Sequence, residues 1–207
     1  MSKLLLVTAS PRYAGSHSRM LAREFLALAT EHDSELDVVE RDLFAEPPVE
    51  LSNSMIHGFF NIPGDDQGAI NAALSVSNRL TSELMSADTI VIATPMYNFN
   101  VPAPLKAWID LVIRSGITFE KVADGQLRGL CSGKRILVLC AMGGRFAETR
   151  FNLVEPYFRL ISEFIGVDQV EFLYLQGTSR QDSDLQQAVA QLRRDMLAFI
   201  QPPCVPA

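Results

Sequence analysis

The sequence predicts an α/β protein, a doubly wound, five-stranded parallel sheet with helices on both faces. Three observations carry the prediction. The apolar runs are continuous rather than alternating, which marks strands covered on both faces. Segments between them repeat their apolar residues at helical spacing. The two kinds alternate about five times, a pattern that right-handed crossovers wind into one open sheet. A chain of 207 residues suits a single domain spanning 1–207.

The first strand is read from KLLLVTA (3–9), and the first helix from Leu21, Phe25 and Leu28, spaced i, i+4, i+7 after a serine-rich loop. A weaker strand, ELDVVERD (35–42), follows. Residues 43–69 then form an excursion longer than an ordinary connection, of the kind that serves as a functional cover or partner surface. A less regular helix over 70–86 leads to the third strand, TIVIAT (89–94). Leu105, Trp108, Ile109, Val112 and Ile113 make the stripe of the next helix, with Pro104 in its first turn and Asp110 and Arg114 spaced as a local ion pair. RILVLC (135–140) is the fourth strand. A helix striped by Tyr157, Leu160, Ile161 and Phe164, opened by Pro156 and stopped by Gly166, precedes the fifth, VEFLYL (170–175). Leu185, Ala188, Val189, Leu192, Met196 and Phe199 stripe the last helix.

Composition narrows the function. At 48% hydrophobic and 20% charged, the chain has a globular core. A net charge of −6 and a pI near 5.1 weigh against nucleic acid as a partner. No window approaches the roughly 18 apolar residues of a membrane span, and no secretory leader is recognisable. Cys131, Cys140 and Cys204 form neither a CxxC nor a metal spacing, so free thiols in a reducing cytoplasm and no metal are expected.

In a doubly wound sheet, ligands bind beyond the carboxyl ends of the strands where the order reverses. The candidate loops are therefore 9–18, 94–102 and 141–148. The first, SPRYAGSHSRM, offers the hydroxyls of Ser10, Ser16 and Ser18 just before a helix, where unpaired amides and partial positive charge favour a phosphate. Helix capping alone also explains Ser16 or Ser18. The loop lacks GxGxxG and GxxxxGK[ST], which weakens a dinucleotide site and argues against triphosphate hydrolysis. The second loop, Met96, Tyr97, Asn98 and Phe99, offers ring faces and amides to a planar heteroaromatic group. The third carries Gly143 and Gly144, which permit close backbone approach or positive φ. A phosphate in the first loop and a flat ring between the other two describe FMN.

The segments SPRYAGSHS, PMYNFNVPAPLKAWIDLVIRSGITF (95–119) and GLCSGKR (129–135), with the Gly143–Gly144 turn, resemble the FMN-dependent NADH azoreductases, or NADH:quinone oxidoreductases, of the flavodoxin-like superfamily. The resemblance runs almost end to end. It implies a strand order of 2-1-3-4-5, FMN phosphate and ribityl contacts at Ser10, Ser16, His17 and Ser18, and ring contacts along Pro95, Met96, Tyr97, Asn98 and Phe99. Ala141, Met142, Gly143 and Gly144 would complete the ring pocket. It also implies a homodimer with each flavin near the interface, and NADH or NADPH as co-substrate. Two departures fall near the flavin or substrate mouth: Ala141 and Met142 replace the family's frequent serine-arginine pair, and Lys121 replaces an aromatic. Phe60, Phe119 and Lys121 are the substrate-pocket candidates, with Phe59 beside them; His57 is the nearest candidate for proton donation, a plain surface histidine being the alternative. No side chain is assigned as catalytic. The reading that results is two-electron reduction of quinones or azo compounds, ping-pong at one flavin. A flavodoxin-like electron carrier and a non-catalytic binding module are the rivals.

Overall fold

The computed structural model describes residues 2–64, 66–123, 125–179 and 184–201. Among these the chain runs β1 (Lys3–Thr8), α1 (His17–His32), β2 (Asp37–Asp42), α2 (Asn53–Phe60), α3 (Gln67–Ser86), β3 (Thr89–Pro95) and α4 (Ala103–Val112). It continues through β4 (Phe119–Lys121), β5 (Leu127–Gly129), β6 (Arg135–Ala141), α5 (Val154–Ile165), β7 (Gln169–Leu175) and α6 (Asp184–Ile200).

The large sheet is parallel throughout, in the order β2-β1-β3-β6-β7. The expected numbering, 2-1-3-4-5, left out an antiparallel pair, β4 with β5, so the last two places go to β6 and β7. These short strands, FEK and LRG, have no apolar alternation by which a strand could be read. The chain moves outward from β1 to β2, then returns to lay β3 on the other side of β1. The order therefore reverses between β1 and β3.

Side chains alternate across the sheet, and both faces are apolar. Leu4 and Leu6 of β1 join Leu21, Phe25 and Met196 under α1 and α6. Leu5 and Val7 join Leu80, Leu105, Trp108 and Phe158 under α3, α4 and α5. The excursion is partly helical. Ser52 caps α2 by accepting from Met55 N at 3.2 Å, and Met55 and Phe59 are buried.

Two readings are corrected here. On α5 three residues of the expected stripe, Tyr157, Ile161 and Phe164, pack against the core, but Leu160 does not. Val154, Phe158 and Ile165 are buried with Ile161 packed against them, whereas Tyr157 and Phe164 are half-buried and Leu160 is 65% exposed. The helix carries two apolar stripes offset by one residue, and spacing alone does not say which one meets the sheet. It begins at Val154, ahead of Pro156, and ends at Gly166 with φ 83°, as read. The Asp110–Arg114 pair does not form. Asp110 accepts from Lys106 Nζ at 2.6 Å, one turn back. Arg114 lies beyond the end of α4, buried, with its guanidinium 4.0 Å over the Phe59 ring and donating to Ser77 Oγ at 2.6 Å. Burial pushes the Arg114 pKa down from its ordinary value.

Cys131 and Cys140 are free and buried. Burial pushes the Cys140 thiol up to about 12 and the Cys131 thiol up to about 11. Cys204 lies outside the described residues. Among those described, no helix is long and apolar enough to cross a membrane.

Candidate functional site

The loops after β1, β3 and β6 leave one edge of the sheet from neighbouring strands. They enclose a cleft of about 360 Å³, within the roughly 300–1,000 Å³ of small-molecule sites. It is lined by Ser10, Arg12, Ser16, His17, Ser18, Pro95, Met96, Tyr97, Ala141, Gly143, Thr178 and Ser179. Clefts of similar size occur at Lys3, Phe25 and Arg135 and at Arg145, Gln187 and Arg194, but neither gathers such a set of small hydroxyls.

At one end sit the three serines, all buried. Ser16 is the N-cap of α1 and accepts from Arg19 N at 3.3 Å. Its hydroxyl donates to Ser10 Oγ at 2.9 Å and lies 3.3 Å from Ser18 Oγ. The capping and anion-binding readings therefore coexist. Three hydroxyls that bond mainly to one another, at the amino end of a 16-residue helix, can turn their donors onto phosphate oxygens. His17 opens α1 at the rim.

At the other end, Tyr97 and Asn100 exchange two main-chain hydrogen bonds, N to O, of 2.9 and 3.0 Å, closing a two-residue turn. Asn98 (φ 49°) and Phe99 (φ 70°) hold the left-handed conformation that such a turn requires. A phenylalanine at positive φ is uncommon and costs about 1–3 kcal/mol. The surroundings compensate: Phe99 O accepts from Leu153 N at 3.1 Å, and the Phe99 ring meets Phe146 (5.7 Å, edge-on) and Phe151 (5.3 Å). The turn leaves the Tyr97 ring 40% exposed at the cleft.

The loop after β6 forms the third wall. A Cβ on Gly143 would lie 2.5 Å from the hydroxyl tip of Ser179, which can rotate aside, and Gly143 is not at positive φ. The segment after β7 braces it. Thr178 N and Oγ1 both donate to Met142 O at 3.1 Å, and Ser179 N donates to Gly143 O at 3.2 Å.

Nine of the expected residues thus line one cleft: Ser10, Ser16, His17, Ser18, Pro95, Met96, Tyr97, Ala141 and Gly143. Four do not. The Met142 side chain is fully buried in the core, so it offers a cofactor no side-chain contact. Asn98, Phe99 and Gly144 shape the walls without lining the space. The substrate-pocket candidates lie elsewhere in the single chain: Phe60 is exposed on α2, Phe119 packs on Phe164 (4.7 Å) and Lys121 is exposed on the hairpin. Phe59 is core under Arg114 rather than a wall of the cleft. Arg12, Thr178 and Ser179 are lining residues that sequence reasoning missed. A run of small hydroxyl residues just past the fifth apolar strand was the available signal.

The observed set suits FMN: donor-rich and cation-fringed where a phosphate would sit, aromatic and amide-edged where a tricycle would lie. The profile of a family described as flavodoxin-like fold matches residues 2–200. An FMN-dependent NADH:quinone oxidoreductase of Azotobacter vinelandii is 40% identical over 200 residues, 97% of this chain and all of that one. An FMN-dependent NAD(P)H:quinone oxidoreductase of Pseudomonas aeruginosa is 34% identical over 96% of this chain and 98% of its own. Among solved structures, an azoreductase from Bacillus anthracis superposes with a TM-score of 0.86 at 27% identity, covering 97% of this chain and 99% of that one. The chain belongs to the flavodoxin-like fold family, alongside the FMN-dependent NADH:quinone oxidoreductases.

Proposed function

We propose that this protein is an FMN-dependent oxidoreductase that takes hydride from NADH or NADPH and reduces quinones or azo compounds by two electrons. The observation that carries the reading is the single cleft joining a serine cluster at a helix amino end to an exposed tyrosine on a rigid turn. When bound, FMN supplies the hydride acceptor and the two-electron donor. Ser10, Ser16 and Ser18 would hold its phosphate with the first amides of α1. Tyr97 and the 95–99 segment would orient the ring, with Gly143 on the third wall of the cleft. By holding either substrate in the same cleft as the ring, these residues would contribute to rate through proximity and orientation.

One cleft serving both substrates in turn gives ping-pong turnover. Steady-state measurements with a panel of quinones and azo dyes, using both nicotinamides, should give parallel double-reciprocal lines; intersecting lines would refute the shared cleft. Anaerobic NADH should bleach the flavin's visible absorbance, whereas persistent colour would favour an electron carrier.

The protein works as a homodimer in the cytoplasm. Leu153, Tyr157, Leu160 and Phe164 run along one side of α5, with Leu153 and Leu160 largely exposed, and association of two copies would cover such a face. A second copy is also what would bring Phe60, Phe119 or Lys121 to a cleft they do not reach within one chain. Sedimentation equilibrium should return twice the chain mass.

A further inference from the structure

The segment that presents the first serine is held in an unusual way. Among the described residues, the backbone of 10–15 makes no main-chain to main-chain hydrogen bond. Its shape comes from the side chain of Arg19. Arg19 Nε and one terminal nitrogen donate to Ser10 O at 3.0 and 2.7 Å. The two terminal nitrogens also donate to Asp42 Oδ2 and Oδ1 at 2.7 and 2.8 Å, a bidentate pair with the last residue of β2. The Tyr13 ring covers the guanidinium at 4.6 Å. Asp42 is fixed in turn, since its Oδ1 accepts from Phe44 N at 3.0 Å and Ala45 N at 3.3 Å. Four of the five guanidinium protons are therefore committed within the protein. Arg19 has little left to offer a ligand and acts through Ser10, whose hydroxyl accepts from Ser16 and from Arg12 N at 3.3 Å.

We propose that Arg19 is a positioning residue for the phosphoryl end of the cofactor: clamped by Asp42, it fixes the Ser10 carbonyl and so sets the geometry of the serine cluster. The proposal rests on the FMN reading above. It predicts a loss confined to the phosphate, because among the described residues no hydrogen bond joins the segment 95–99 after β3 to this network.

The test is flavin-fluorescence titration of the full chain and of Arg19→Gln, Arg19→Lys and Asp42→Asn with FMN and with riboflavin, alongside the ³¹P resonance of bound FMN. Arg19→Gln should raise the FMN Kd by about tenfold or more while leaving the riboflavin Kd within about twofold, and should shift the ³¹P resonance. Arg19→Lys retains charge but cannot bridge Ser10 O and both Asp42 oxygens, so it should fall between; Asp42→Asn should show the same selectivity at smaller size. Equal weakening of both flavins, or an unchanged FMN Kd in all three variants, overturns the proposal. Should Arg19→Gln fail to fold, the other two variants decide it on the same ratio. Failure of the unaltered chain to bind FMN would instead overturn the functional reading, and appears before any variant is compared.

Discussion

Single residues in this protein often carry two duties. Ser16 caps α1 and contributes to the hydroxyl cluster, so Ser16→Ala should cost about 1 kcal/mol of stability as well as cofactor affinity. Thermal denaturation with and without FMN separates the two. Asn98 sits at φ 49°, where a β-branched side chain clashes with its own backbone. Asn98→Val should therefore destabilise by about 1–2 kcal/mol and loosen the Tyr97 shelf, whereas Asn98→Gly should be tolerated in urea denaturation. At Asp42 burial pushes the carboxyl pKa up, but hydrogen bonds from Arg19 and from the amides of Phe44 and Ala45 outweigh it and hold it below its ordinary value. A depressed native pKa contributes stability above the unfolded value, and that contribution is lost as pH falls through the native one. Asp42→Asn should thus be less stable than the parent at neutral pH, with the gap narrowing as pH falls through and below the ordinary carboxylate range; a constant gap would contradict the assignment. Contacts of this kind are nearly invisible in a sequence. The helix spacing of Asp110 and Arg114 pointed to a pair, yet Lys106 took the acid and Arg114 turned in under Phe59.

Elements were legible where periodicity and burial agree. Leu21, Phe25 and Leu28 on α1, and Leu105, Trp108, Ile109 and Val112 on α4, form single stripes against a polar face, and each is buried. On α5 two adjacent stripes compete, and only tertiary packing chooses between them. The β4–β5 hairpin escaped because three-residue strands carry too little pattern. Its docking is nonetheless tight: a Cβ on Gly129 would lie 2.1 Å from Gly166 N and from Ile165 C, and Cys131 N donates to Ile165 O at 2.8 Å. Backbone cannot yield as a side-chain tip can. Gly129→Ala should lower the thermal midpoint by several degrees, a cost of about 1–3 kcal/mol from overpacking, and hydrogen exchange at Cys131 should quicken.

At the scale of the molecule, the sheet and its three cleft-lining loops could be read from continuous apolar runs, because a parallel sheet needs both faces covered. What escaped was the fourth wall, Thr178 and Ser179, whose role arises from bonds to Met142 O and Gly143 O rather than from any pattern of their own. The same double-sided cover seals the Cys140 thiol on β6, while Cys131, in the turn after β5, is buried beside Met85 and Thr118. In a Cys204→Ser background neither should react with a disulfide reagent until denaturant is added, and rapid labelling of the native protein would contradict their burial. The register of β1 beside β3, Thr8 opposite Ala93, has a consequence for ligand choice. Ser10 and Tyr97 are each a few residues beyond that rung, on strands held about 4.8 Å apart by their ladder. The span from anion cradle to ring shelf is therefore a ruler cut into the sheet. The Arg19 clamp and the 98–99 turn trim its two ends, while the ladder fixes the spacing of the strands from which both ends depart.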